Sequence, residues 1–139
     1  MAGYKQLRLV LVTPEKTLLD QPVEDLRFPL YDGQMGVWPG RAPLVGRLGC
    51  GELRFTDTSD KVHSYFIDGG FVQIKGEVVT ILTNRAIAAE SLKLQQAEEQ
   101  LRQTQVRPAH NDLELAARSR DEQRARQMVA LARKTQAGA

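Results

Sequence analysis

The chain has 139 residues, 42% of them apolar, and its formal net charge is +2. The length predicts one domain, or one domain with a small appendage, and the apolar content is sufficient to form a core. The charge is too small to indicate nucleic-acid or membrane binding by itself. The longest apolar run, five residues at 128–132, is far shorter than the roughly 20 residues of a membrane-spanning helix. Since residues 1–7 contain no apolar signal-peptide core, we expect a soluble, unexported chain with no transmembrane segment.

The first 84 residues have the composition of a β-rich domain. All eight aromatic residues precede position 72, and nine of the eleven glycines lie between positions 33 and 76. In residues 7–12, leucines alternate with Arg8, Val10 and Val12, which is the period of a strand with one face buried and the other at least partly buried. Further strand-like runs follow at 23–28, 53–56, 62–67, 71–75 and 78–83. Gly76-Glu77 suits a two-residue hairpin turn, and residues 57–60 suit a second hairpin loop.

Residues 85–139 have the pattern of two helices. No glycine and a single proline, Pro108, lie between positions 77 and 137. Helical spacing marks a first helix around 91–105, in which Glu98 is placed to pair with Arg102. Asn111, with Glu114 three residues later, predicts the capped start of a second helix over 112–134. Its expected inner stripe is Leu113, Ala117, Ala125, Met128 and Ala132. The sequence therefore predicts an α+β chain: an N-terminal antiparallel β-sandwich, residues 1–84, followed by a C-terminal antiparallel two-helix hairpin, residues 85–139.

Catalytic and metal-binding patterns are absent from the sequence. His63, His110 and Cys50 have no recognisable zinc or copper spacing, and a lone cysteine cannot close a disulfide within the chain. The glycines near position 49 lack the lysine and the Ser/Thr of a phosphate-binding loop. No histidine is placed to activate a serine. We therefore expect no catalytic residue, no bound metal and no cofactor.

The basic charge is concentrated at the end of the chain. Residues 107–139 carry seven basic and four acidic side chains. The basic ones are Arg107, Arg118, Arg120, Arg124, Arg126, Arg133 and Lys134. One interpretation is a solvated helix face, because Glu114 and Glu122 can each pair with an arginine four residues later. The other is docking onto an acidic partner surface. Nucleic acid is a poorer candidate partner, since no aromatic side chain follows Phe71 to stack on bases.

One segment is unusually dense in glycine and proline and reads DGQMGVWPGRAPLVGRLGCGELR, residues 32–54. We expect it to form a rigid loop that holds Met35, Val37 and Trp38 at or near the surface, although a buried core position suits Trp38 equally well. Its order is acidic-Gly-x-Met-Gly-aliphatic-x-Pro-Gly-x-Ala-Pro-Leu, and Gly69-Gly70-Phe71-Val72 and residues 78–82 follow. This order closely resembles the epsilon subunit of F-type ATP synthases. The resemblance runs from about Leu7 to the C-terminus. In the helical tail it rests on the arrangement of the two helices more than on the identity of their residues.

The resemblance implies a fold, a function and partners. The family has an N-terminal β-sandwich and a C-terminal helical hairpin, and the sandwich binds the rotating gamma subunit and sits on the membrane-embedded c-ring. A member is a non-catalytic rotor subunit that helps couple ion flow to rotation, here expected at the cytoplasmic face of a bacterial cell membrane as a peripheral subunit. By the same resemblance, the c-ring contact comprises Asp32, Gly33, Gln34, Met35, Gly36 and Arg41.

The resemblance also implies a regulatory role for the hairpin. In bacterial members it lies folded against the sandwich or extends along gamma into the catalytic head, where it blocks ATP hydrolysis. Its basic second helix there meets acidic segments of the catalytic alpha and beta subunits. In this chain the corresponding side chains are Arg118, Arg120, Arg124 and Arg126. Because the inner stripe is mostly alanine, we expect the two forms to differ by only about a few kcal/mol.

The sequence departs from the family at several positions. Some members bind ATP through a motif of the form aliphatic-Asp-x-x-Arg-Ala, whose best match is residues 92–97. Lys93 replaces the aspartate and Gln96 replaces the arginine, so we expect weak or no nucleotide binding. Arg41 stands where histidine is usual, and Cys50 stands where proline is usual. An alternative function is a stand-alone β-sandwich ligand-binding module with a helical dimerisation tail, which would form a stable dimer and would not co-purify with a gamma-like subunit.

Overall fold

The computed structural model describes residues 6–40 and 43–137, and the chain divides into two compact units, Met1–Ala86 and Ile87–Ala139. The first unit is built from strands, and a short further strand spans the boundary. The strands are β1 (Leu7–Val12), β2 (Thr17–Leu30), β3 (Gly33–Val37), β4 (Leu44–Asp57), β5 (Val62–Lys75), β6 (Val78–Leu82) and β7 (Ala86–Ala88). Three strands have 14 residues each, so the pattern at 23–28, 53–56 and 62–67 marked only part of each one.

The first six strands form a nearly closed structure. Their order is β1-β6-β5-β4-β2-β3, and β1 also pairs with β2. Neighbouring strands are antiparallel except β1 and β6, which pair in parallel with Val10 opposite Thr80. The parallel pair joins the first strand to the sixth and closes the sheet on itself, which leaves fewer exposed strand edges.

The core of the first unit follows the alternation of its strands. Leu7, Leu9 and Leu11 of β1 are buried, whereas Arg8 is exposed. The other buried side chains of this core are Val23, Leu26, Phe28, Val37, Leu48, Leu53, Phe55, Ile67, Val72, Ile74, Val79 and Ile81. At about 1.5–3 kcal/mol for each large apolar side chain, burial of this set is the main stabilising contribution.

Both predicted hairpin turns are present. Gly76 has a φ of +61° between the paired residues Lys75 and Val78. At the β4–β5 turn, the side chain of Asp57 accepts hydrogen bonds from the backbone N–H groups of Ser59 and Lys61, at 2.7 and 3.0 Å. These side-chain bonds replace the ladder bonds that the chain loses as it reverses.

The sequence pattern indicated that one strand ends before Gly69 and Gly70 and another begins after them, and this prediction is wrong. β5 continues through both, with φ angles of +70° and +108°. A Cβ atom on Gly70 would collide with the carbonyl oxygen of Leu82 on β6. The glycines therefore permit a local change of backbone direction inside a long strand rather than a break between two short ones.

The second unit contains a 3₁₀ turn, Ala89–Ser91, and two helices, α1 (Leu94–Val106) and α2 (Asp112–Ala137), which pack against each other. Arg107 ends α1 in an extended conformation, which is the conformation favoured before Pro108. Asn111 caps α2, since its side-chain oxygen accepts a hydrogen bond from the Glu114 N–H at 2.8 Å. The Glu114 carboxylate in turn accepts the backbone N–H of His110 at 2.7 Å. The predicted α+β fold class, a β-sandwich followed by a two-helix hairpin, is confirmed.

Two packing predictions for the hairpin are wrong, although three of the five residues expected in the inner stripe, Ala125, Met128 and Ala132, are buried. Leu113 is 80% exposed, and the buried residues of α2 lie in its second half: Ala125, Met128, Val129, Leu131 and Ala132. Arg102 pairs with Glu99 and not with Glu98; its Nε donates to the carboxylate at 3.0 Å. The i, i+3 spacing is as close on a helix surface as i, i+4, so the periodicity alone did not decide between the two glutamates.

Candidate interaction surfaces

The turn between β2 and β3 forms an exposed hairpin tip. Leu30 pairs with Gly33, so Tyr31 and Asp32 make the turn. Asp32, Gly33 and Gln34 are exposed, whereas Met35 and Gly36 are half-buried and Met35 packs against the core. The structure thus brings these five predicted contact residues together on one hairpin, and Arg41 lies outside the described residues.

The segment expected to be a loop is in fact the edge strand β3. Gly33–Val37 pairs along its length with β2, because Val37 is a core residue whose burial fixes the register. Trp38 follows the strand and is 59% exposed. Its indole ring lies over Gly36, 3.0 Å from the position that a Cβ atom would occupy. Of the three side chains expected at the surface, Trp38 is exposed, Met35 is half-buried and Val37 is buried.

An apolar surface on the outside of the strands was not identified from the sequence. Across three neighbouring strands, Arg47 lies opposite Phe71, and Phe71 lies opposite Leu82; β1 continues the row, with Val12 opposite Leu82. Phe71 is 57% exposed, Leu82 is 48% exposed, and Val45, two residues before Arg47 on the same strand, is 73% exposed. We call Val12, Val45, Phe71 and Leu82 the outer apolar face.

A cleft adjoins the outer apolar face. It has a volume of about 780 Å³, and Phe71, Leu82, Pro14 and Arg47 are among the residues that line it. Contiguous exposed apolar groups around a concave surface are typical of protein-binding sites. The sequence contained part of this signal, since Val10 and Val12 make the second face of β1 apolar as well.

Tyr31 links the hairpin tip to the edge of the outer apolar face. The guanidinium carbon of Arg47 lies 4.3 Å from the centre of the Tyr31 ring, within range of a cation–π interaction. The Tyr31 N–H also donates a hydrogen bond to the Arg47 carbonyl oxygen at 2.8 Å. These two contacts hold the base of the tip against β4.

The four arginines predicted to contact a catalytic head do not form one surface. At about 100° per residue, Arg118 and Arg126 lie on one side of α2, and Arg120 and Arg124 lie on another. Arg126 pairs with Glu122 at 3.2 Å, and Arg124 pairs with Asp121 at 2.9 Å.

The remaining two arginines differ from each other. Arg118 donates to the carbonyl oxygen of Arg107 at 2.9 Å. Arg107 also pairs with Asp121 at 2.8 Å, and this contact, with a smaller contribution from Arg124, lowers the pKa of the Asp121 carboxyl. Within residues 6–40 and 43–137, Arg120 has no hydrogen bond or ion pair to another side chain, so it is the one of the four that is fully available to a partner.

The two histidines have structural surroundings. His63 stacks on Phe55 with ring centres 5.0 Å apart, and its Nε2 lies 2.8 Å from a carboxylate oxygen of Asp57. This bond, followed by the backbone N–H of Lys61, lowers the pKa of Asp57. His110 is exposed in the connector before α2. In the described part of the chain, no group of three or more His, Cys, Asp or Glu residues is placed to hold a metal ion.

The segment that resembles a nucleotide motif crosses the start of α1. Lys93 precedes the helix in an extended conformation, and Gln96 lies exposed in its first turn.

Neither described helix is both long and apolar enough to cross a bilayer.

Comparisons with known proteins identify the family. Residues 6–89 match the sequence model of the β-sandwich domain of the ATP synthase delta/epsilon chain. An ATP synthase epsilon chain of Rhodopirellula baltica is 48% identical over 86 residues, 62% of this chain and 66% of that protein, so the matched segment spans just under two thirds of the relative. An ATP synthase epsilon chain of Solibacter usitatus is 35% identical over 99 residues, 71% of this chain and 73% of that protein.

Solved structures show the same fold. A chain in a cryo-EM structure of the Euglena gracilis mitochondrial ATP synthase, containing OSCP, F1 and the c-ring, superposes with a TM-score of 0.84 at 22% identity, covering 94% of this chain and 84% of that one. A chain in the central stalk and c-ring structure of the Tetrahymena thermophila mitochondrial ATP synthase gives a TM-score of 0.73 at 11% identity, covering 92% and 97%. The structures show the fold, and the matches in sequence lead to one conclusion: this chain belongs to the family of epsilon chains of F-type ATP synthases, as the residues at 32–54 and 68–82 had indicated.

Proposed function

We propose that the chain is a non-catalytic central-stalk subunit that couples a c-ring to a gamma subunit during ion-driven ATP synthesis. Membership of the epsilon family supports a place for the chain in the central stalk of an ATP synthase. The outer apolar face is the observation on this chain that carries the proposal. A side chain such as Phe71, 57% exposed in the isolated chain, gains hydrophobic stabilisation only when a partner covers it. In this proposal gamma covers the outer apolar face, and the residues 1–84 form the rotor-binding domain.

The exposed hairpin tip is the proposed contact with the c-ring. Asp32, Gly33 and Gln34 are exposed at the β2–β3 turn and the start of β3, and the Tyr31–Arg47 contact fixes the base of the turn. Met35 and Gly36 would support this contact from within β3, and Arg41 is assigned to it on the family resemblance alone. The subunit would then lie peripherally at the cytoplasmic face of a bacterial cell membrane.

Residues 85–139 are proposed as a regulatory domain that inhibits ATP hydrolysis by contacting the alpha and beta subunits. α2 has 26 residues and is therefore about 39 Å long. Its first half buries little apolar surface, since Leu113 and Leu115 are exposed. A helix with so little burial at one end has a low cost of detachment there, which suits a segment that changes partners.

Charge reversal in the hairpin tests the inhibitory role. We expect Arg118→Glu, Arg120→Glu, Arg124→Glu and Arg126→Glu together to raise ATP hydrolysis by the assembled complex. Because Arg120 has no partner to lose within the hairpin, Arg120→Glu alone should give part of this effect without loosening the helices. Arg133→Glu, an equal charge change at another exposed position of α2, is the matched control. Unchanged hydrolysis in the quadruple variant, with normal assembly, would exclude this role for the arginines.

Binding to gamma tests the rotor role against the alternative. Purified chain mixed with the gamma subunit should form a one-to-one complex in sedimentation experiments. A stable dimer of the chain alone that does not bind gamma would favour the stand-alone module with a dimerisation tail.

Calorimetric titration with ATP should show weak or no binding, because Lys93 and Gln96 lack the carboxylate and guanidinium of the family motif.

A further inference from the structure

Two arginines lie side by side on the outside of β2 and β4. Arg27 and Arg54 are directly opposite each other in the antiparallel register, so their Cα atoms are about 4.5–5.5 Å apart. Both side chains are exposed, while the residues on either side of each, such as Leu26 and Phe55, are buried. Like charges directly opposite each other on neighbouring strands repel and reduce stability. The fold therefore maintains an unfavourable pair at this position.

Neither arginine is neutralised by the rest of the described chain. Asp25 and Glu52 lie on the same face, each two residues away from one of the arginines along its strand. Asp25 accepts a hydrogen bond from the Thr56 hydroxyl at 3.1 Å, and Glu52 accepts one from the Ser64 hydroxyl at 2.6 Å. Among residues 6–40 and 43–137, no carboxylate lies within 4 Å of the guanidinium of Arg27 or of Arg54. Both guanidinium groups thus keep their full capacity to bind an anionic group.

The only tryptophan of the chain borders this arginine pair. Gly36 of β3 lies directly opposite Arg27, and the Trp38 indole covers Gly36 on the same outward face. Covering a glycine on an edge strand is a stabilising role for an aromatic ring. The ring nevertheless remains 59% exposed. Tryptophan and arginine are the residue types that most often dominate the binding energy of protein interfaces.

We propose that Arg27, Arg54 and Trp38, here called the arginine–tryptophan surface, bind an acidic segment of a partner protein. A carboxylate of the partner would receive charge-assisted hydrogen bonds from the two guanidinium groups and relieve their repulsion. An apolar side chain next to that carboxylate would pack on the indole. Asp25 and Glu52 flank the arginines and would repel a continuous polyphosphate backbone, so the surface favours a protein segment over a nucleic acid. This proposal does not rest on the function proposed above, because Arg27, Arg54 and Trp38 belong neither to the outer apolar face nor to the residues proposed for the c-ring contact.

The fluorescence of Trp38 provides a direct assay, since no other tryptophan contributes. The full chain is titrated with a capped peptide in which a single glutamate lies next to a leucine among uncharged residues. We expect the peptide to change the emission of Trp38 in a saturable way. Arg27→Gln with Arg54→Gln should weaken this binding by at least about tenfold, because the charge-assisted bonds are lost. Lys75→Gln with Arg133→Gln removes the same charge from exposed positions outside every proposed contact and should leave the affinity unchanged.

Several results would overturn the proposal. The first is a peptide titration without a change in fluorescence. The second is equal weakening by both pairs of substitutions, which would indicate a general charge effect. The third is an equal response to inorganic phosphate at the same concentration, which would indicate a small-anion site. Folding of the variant is checked by chemical unfolding, where Arg27→Gln with Arg54→Gln should be as stable as the parent chain or more stable, since the like-charge repulsion is removed.

Discussion

Replacing Phe71 by alanine is the most direct test of the outer apolar face. A phenylalanine side chain presents about 200 Å² of surface, of which 57% remains exposed in the isolated chain. If gamma covers this area, about 110 Å² at about 25 cal/mol per Å² corresponds to roughly 2–3 kcal/mol. Phe71→Ala should therefore weaken gamma binding by roughly 30- to 150-fold. The stability of the chain itself should change by less than about 1 kcal/mol, because the ring is not part of the core.

The assay is calorimetric titration of the chain with gamma, combined with chemical unfolding of each variant. Val62→Ala is the matched control, since Val62 lies on the same strand, is 52% exposed and is not part of the outer apolar face. It should bind gamma like the parent chain. If Phe71→Ala binds within about threefold of the parent while remaining folded, the outer apolar face is not the gamma contact and the reasoning from exposed apolar area is refuted.

Three further predictions concern stability. Gly70→Ala should destabilise the first unit by more than about 3 kcal/mol in an unfolding assay, because a φ of +108° is combined with a collision against β6. Gly76→Ala is the control, and it should cost about 1 kcal/mol, because Gly76 has a φ of +61° and open space around the new methyl group. Asn111→Ala should reduce the helicity of the start of α2 and cost about 1 kcal/mol; unchanged amide exchange at this end of the helix would contradict the observed cap. The pKa of Asp57 is lowered by its bond to His63, so the ionised carboxylate stabilises the fold above its ordinary pKa, and this contribution is lost as the pH falls through the lowered value. Asp57→Asn should therefore flatten the acid side of a stability profile measured by unfolding at a series of pH values, and a profile identical to that of the parent chain would contradict the assignment.

The sequence predicted the parts of this fold that depend on local pattern. The alternation at residues 7–12 correctly gave the buried face of β1, and Asn111 with Glu114 correctly gave the start of α2. The lengths of the long strands were underestimated, because Gly69 and Gly70 have the local appearance of a strand end. Leu113 was placed in the buried stripe because helical periodicity shows which residues share a face but not where along the helix that face is covered.

The interaction surfaces were less accessible to prediction. Asp32–Gly36 could be proposed as a c-ring contact because the motif is contiguous and resembles a known family. The outer apolar face could not, because Val12, Phe71 and Leu82 lie far apart in the sequence and become neighbours only through the register of β1, β5 and β6. The same is true of Arg27 and Arg54, whose proximity depends on the pairing of β2 with β4.

The parallel pairing of β1 with β6 determines the order in which the chain can fold during synthesis. β1 leaves the ribosome first, yet one of its two edges has no partner until residues 78–82 have also emerged. Contacts between segments so distant in sequence form slowly and leave backbone groups unpaired in the meantime. A nascent chain truncated before β6 should therefore need protection from aggregation, whereas the two helices, joined by a short connector, can associate as soon as they are made.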